Sequence, residues 1–138
     1  MPAAPSELNF QKHYTRDEAR RLLPQIRQWL THASEFQAEV QKLEERLSGL
    51  MAPGCDLGGE LVNRWTRKLV DFEVVLLEFQ QREIQIKDLQ RGLVDFPALM
   101  DGREVFLCWE QDEEDIEFWH ELDAGFAGRQ DVALLKQE

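Results

Sequence analysis

The sequence predicts an α+β protein, a long antiparallel helical hairpin of coiled-coil character followed by a small antiparallel β module of three strands. Three observations carry this. Apolar residues alternate by four and three without a miss from Leu22 to Leu50. A glycine- and proline-rich break separates that run from a second run of the same rhythm. After Gly92 the spacing changes from helical to alternating. With 138 residues, the chain has the length of one ordinary domain, and we read it as a single unit over 1–138.

Residues 1–14, opening on a Pro-, Ala- and Ser-rich stretch, are expected to form a mobile leader. Thr15 followed three residues later by Glu18 is a capping box, so helix one is placed at 15–50. Its seam is Leu22, Ile26, Trp29, Ala33, Phe36, Val40, Leu43, Leu47 and Leu50. Pro24 lies off that seam and removes one backbone donor, which predicts a kink or a restart. Between Ser48 and Gly59, four glycines and a proline reverse the chain. Helix two is placed at 60–91, with Val62, Trp65, Leu69, Phe72, Leu76 and Phe79 facing helix one. A second stripe, Val70, Val74, Leu77 and Ile84, is left over on another face. An apolar strip of that length needs a cover, and a homodimer through helix two supplies one.

The β module is placed at 92–138. Leu93, Val94 and Phe96 form a first strand ending at Pro97, and Asp101-Gly102 is a turn signal. Val105 to Trp109 form the second strand. In the third, Ile116, Phe118, His120 and Leu122 alternate with Glu117, Trp119 and Glu121, and a helix over 115–122 is the competing reading. Trp109, Phe118, Trp119 and Phe126 are read as core of this sheet before they are read as a binding surface.

Charge divides the chain more sharply than hydropathy does. Residues 1–92 carry 14 acids and 13 bases, while residues 93–138 carry 13 acids and 3 bases. An acidic surface repels phosphate backbones and anionic lipid, so neither nucleic acid nor membrane is an expected partner of the last third, and a basic protein is. The helical part shows no basic stripe. No run approaches the roughly 18 apolar residues of a membrane span, and the first residues do not read as a signal peptide, so a cytoplasmic location is expected. Cys55 and Cys108 form no CxxC pair, and both are read as reduced thiols.

The strings Gly92-Leu93-Val94-Asp95-Phe96-Pro97, Leu107-Cys108-Trp109, Trp119-His120-Glu121 and Gly125-Phe126-Ala127-Gly128-Arg129 fall in an order and spacing that resembles one bacterial family. It is catalogued as domain of unknown function twenty-two-oh-three. Tyr14 to Ala19, with Leu22-Leu23-Pro24, resembles the same family's opening. One departure is visible: Asp112 stands where a glycine is usual, and aspartate tolerates the left-handed turn. The resemblance carries no activity, cofactor or site residue with it.

The residues with usable chemistry cluster in the module: Asp95, Cys108, Glu110, Glu117, His120 and Glu121, with Arg129 as an anchoring ion pair. Adjacent strands lie about 4.8 Å apart, so imidazole, carboxylate and thiol can converge on one face and bind zinc or manganese. The structural alternative is a strand histidine that donates a ring N–H to Glu110 or Asp95. Glu117 and His120 also form a Glu-x-x-His pair, but a di-iron bundle site needs two such pairs, and only a dimer with Glu83 recruited can approach that count. Two functions follow: a non-catalytic scaffold presenting an acidic module to a partner, or a divalent-metal protein or enzyme centred on His120.

Overall fold

The computed structural model describes residues 8–50 and 59–132. Two helices, α1 (Arg16–Leu50) and α2 (Gly59–Gln81), precede five strands: β1 (Gln85–Asp88), β2 (Leu93–Met100), β3 (Arg103–Glu110), β4 (Phe118–Glu121) and β5 (Gln130–Asp131). The strands form one antiparallel meander in chain order. The α+β class holds, and the sheet has five strands where three were expected. The chain packs as two compact units. One is built from the chain up to Arg27 together with everything from Phe79 onward, the other from Gln28–Glu78. The leader below residue 8, the reversal with Cys55 and the last six residues lie outside the described residues.

The capping box forms as the sequence requires. The Thr15 hydroxyl accepts from Glu18 N at 3.1 Å, and the Glu18 carboxylate accepts from Thr15 N at 3.0 Å. From there α1 runs through Pro24 without a break. Its buried stripe in the first unit is Ala19, Leu23 and Ile26, so Leu23 takes the buried place assigned to Leu22. Upstream, the chain is held where a leader was expected. Tyr14 is buried, donates its N–H to Pro97 O at 2.7 Å and its hydroxyl to Arg82 O at 2.8 Å, and stacks edge-on against Phe96. Burial pushes its phenol up to about 12.

Helix two ends ten residues earlier than the periodicity predicts. Ile84 N donates to Phe79 O at 3.0 Å and Glu83 N donates to Gln80 O at 3.1 Å, the paired bonds of a Schellman cap. Glu83 occupies the left-handed position at φ 59°, where glycine is usual. Ile84 and Phe79, the two ends of that motif, are both buried. Ile84 is therefore a core residue and does not belong to the exposed stripe of α2. The polar seam positions near Glu83 mark the helix end, and residues 85–88 then pair with β2 as an extra edge strand.

The central hairpin follows the sequence closely. Met100 pairs with Arg103 across Asp101-Gly102, and both turn residues have positive φ, 51° and 79°, as a two-residue type I′ turn needs. Pro97 does not stop β2. The registered pairs with β1 end at Asp95, so beyond it Pro97 interrupts no ladder on that side, while its carbonyl receives Tyr14. Residues 118–121 are a strand, resolving the helix alternative. Val94, Phe96 and Ala98 on β2 and Val105, Leu107 and Trp109 on β3 share one fully buried face. Gly92 cannot be replaced without displacement, since a Cβ there would sit 2.6 Å from the Gln111 side chain.

In the second unit the helices run antiparallel, as Glu39 with Lys68 (3.0 Å) and Glu44 with Trp65 (3.3 Å) show. Leu30, Ala33, Val40 and Leu43 of α1 are buried, with Leu61 of α2. Val70, Val74 and Leu77 are exposed at 50%, 53% and 45%.

Candidate functional site

The opposite face of the sheet carries the polar residues. Asp95 on β2 is registered with Cys108 on β3, and Phe106, two residues before Cys108 on the same face, is registered with His120 on β4. Because side chains alternate, Asp95, Cys108 and His120 project from that face together. All three are fully buried. A ligand atom from each lies within 4.8 Å of the other two.

Hydrogen bonding fixes the imidazole. Nδ1 donates to the Glu121 carbonyl at 2.6 Å, because a carbonyl can only accept. Nε2 lies 2.9 Å from Asp95 Oδ2, and one proton occupies that contact. Burial works against a charged ring, but the bonds to Asp95 and to the Glu121 carbonyl outweigh it, holding the His120 pKa above its ordinary value. Asp95 Oδ1 is buried with no hydrogen-bond partner among the described residues. The Cys108 thiol is pushed far up, first by burial and then by the Asp95 charge beside it. It is protonated at neutral pH and is not an activated nucleophile.

Beside the trio lies a cavity of about 260 Å³, whose lining includes Asp95, Cys108, His120, Lys87, Asp123 and Phe126. Lys87 and Asp123 were not anticipated. Lys87 sits at the irregularity between Ile86 and Asp88, where the β1 register shifts, and nothing in a four-residue strand announces that bulge. Asp123 follows β4 without a periodic signal.

The other candidates go elsewhere. Glu110 accepts from Arg91 Nε at 2.8 Å, and the Glu121 side chain accepts from Arg103 at 2.7 Å. Glu117 is exposed, and among the described residues it contributes only its carbonyl, to Val132 N. Arg129 donates through Nη2 to both oxygens of Glu113 at 2.7 Å, and its guanidinium lies over the Phe118 ring at 3.9 Å. The acidic loop after β3 also draws cations from α1. Arg16 donates to the Ile116 carbonyl and Arg20 to Asp115 at 2.8 Å, while Arg27 donates to the carbonyls of Gln111 and Glu113. Part of the expected docking surface for a basic partner is thus met by the chain's own helix.

Chemically, the trio offers imidazole nitrogen, carboxylate oxygen and sulfur. The Nδ1–H bond to a backbone carbonyl is the support that orients a histidine for metal ligation through Nε2. No helix among the described residues is long and apolar enough to cross a membrane. No curated protein and no solved structure matches the chain. A family model described as "Uncharacterized conserved protein (DUF2203)" matches residues 12–132. That span takes in α1, α2, the whole meander and the buried trio, and the chain belongs to this family.

Proposed function

We propose that the protein is a divalent-metal-binding protein whose ligands are Asp95, Cys108 and His120. The observation that carries the reading is the mutual approach of three buried ligand atoms of different chemistry beside a cavity. Charge supports it as well. Thiolate and carboxylate together balance a divalent ion. On binding, the Cys108 thiol would lose its proton to solvent, and His120 would offer Nε2 as a neutral imidazole while Nδ1–H stays on the Glu121 carbonyl. Sulfur and imidazole favour zinc over manganese, which prefers oxygen. Three protein ligands leave a fourth position for an exchangeable group from the cavity.

Untagged protein is expected to retain about one zinc ion per chain, three protein ligands with one open position being a usual zinc set. Adding zinc to the stripped protein raises its melting temperature, because ligand at 100 times its Kd contributes about 2.7 kcal/mol. Cys108→Ser keeps the fold and loses the ion. Elemental analysis with calorimetric melting checks this. Unchanged melting on adding zinc, or full retention of metal by Cys108→Ser and His120→Ala alike, sinks the reading.

The exposed stripe of α2 supports self-association. Val70, Val74 and Leu77 repeat at four and three, the spacing by which two copies of one helix pack across a two-fold axis. Sedimentation equilibrium is expected to give a dimer that Val74→Glu dissociates, and a wild-type monomer at high micromolar concentration overturns it.

A further inference from the structure

The second unit holds a groove of about 650 Å³ between its helices, into which Lys42 and Arg46 of α1 and Arg64, Arg67 and Lys68 of α2 project. The linear sequence shows no basic stripe because each helix supplies only part of the cluster. The two carboxylates that line the groove, Glu39 and Asp71, both lie against Lys68, at 3.0 and 4.0 Å. Lys42, Arg46, Arg64 and Arg67 have no ion pair or hydrogen bond from their side chains among the described residues. Five cations against two carboxylates leave a surplus of three positive charges in this groove, in a chain whose net charge is −11. A cleft with a surplus of one sign of charge concentrates the opposite ion.

We infer that this groove binds a small anion carrying two or more linked phosphates, such as inorganic pyrophosphate or the phosphate chain of a nucleotide. Lys42 and Arg46 lie one turn apart on α1, about 6 Å along its axis, and Arg64 and Arg67 about 4.5 Å apart on α2. The charges thus cover a short length from both sides, which suits adjacent phosphates. A nucleic-acid backbone needs a longer track, and the chain's overall charge repels it. Guanidinium forks bond two oxygens of one phosphate, and three of the five cations are arginines. Buried Leu43 gives the groove an apolar floor.

Titration calorimetry of the full chain with sodium pyrophosphate, at about 50 mM and about 200 mM salt, tests the inference. Saturable binding of one anion per chain, weaker at the higher salt, is expected. Arg46→Ala and Arg64→Ala are each expected to weaken it about tenfold, the effect of losing one charge-assisted contact. Arg103→Ala, which removes a cation of the first unit, leaves it unchanged. The three side chains are exposed, and circular dichroism melts confirm that each variant folds. Absence of saturable binding overturns the proposal, as does equal weakening by Arg103→Ala. Tighter capture of a single-stranded oligonucleotide or an acidic peptide than of pyrophosphate and ATP overturns it too.

Discussion

Asp95→Ala is expected to lower the unfolding free energy of the metal-free protein by about 2–3 kcal/mol, the cost of leaving a buried hydrogen-bonding group without its partner. Among the described residues the carboxylate is the only side-chain partner of His120 Nε2, and both groups are buried. Removing it leaves an imidazole with one nitrogen on the Glu121 carbonyl and the other facing a void. His120→Ala is expected to cost a similar amount, and the double variant much less than the sum, because neither partner is then left buried and unpaired. Urea unfolding of all four proteins in chelator yields the coupling energy. A loss under 1 kcal/mol for Asp95→Ala, or strict additivity, rejects the coupling.

Glu104→Ala is expected to cost about 2–3 kcal/mol and to release the segment before α1, since bonds to a charged acceptor are worth about 1.5–3 kcal/mol and the freed donors regain water. Its carboxylate accepts from Asn9 N at 2.7 Å, Phe10 N at 2.9 Å and Asn9 Nδ2 at 3.1 Å, and lies 2.8 Å from His13 Nε2. Burial raises the Glu104 pKa, but these bonds together hold it below its ordinary 4.5. A carboxylate bound more weakly by protons when folded contributes stability above its unfolded pKa, and loses it as pH falls through the lower folded value. Wild-type stability should therefore fall below about pH 4.5 more steeply than that of Glu104→Gln. Hydrogen exchange at residues 9–14 should be slow in the wild type and fast in Glu104→Ala. Slow exchange in both would mean that the segment is held by other contacts, such as Glu83 Oε1 with Gln11 N and Lys12 N.

The sequence made visible whatever rests on local chemistry. Thr15 and Glu18 announce a helix start, Asp101-Gly102 a turn, and the alternation through His120 a strand. Once the strands are placed, register alone brings Asp95 opposite Cys108 and sets His120 on their face. Less visible were features that one residue settles against its type. Glu83 ends α2 in a conformation glycine usually takes, so a pattern reader extends the helix to residue 91. Leu22 and Leu23 are both apolar, and a heptad count cannot choose between them. The first unit buries Leu23 together with Ala19 and Ile26, the i, i+4, i+7 set of a helix lying on a sheet. The basic groove was hidden for a different reason: it exists only when residues 42–46 and 64–68 face each other.

The first unit is discontinuous in sequence, and this bears on how the chain reaches its native state. Its two parts are separated by the 51 residues from Gln28 to Glu78. Closing a loop of that length costs entropy that grows with the logarithm of its length before any sheet contact repays it. The second unit is contiguous, and forming it first converts a flexible closure into a short one. Sheet assembly also awaits synthesis of the strands themselves, so the bonds that tie residues 9–14 to Arg82, Glu83 and Glu104 form only after those later residues have been made.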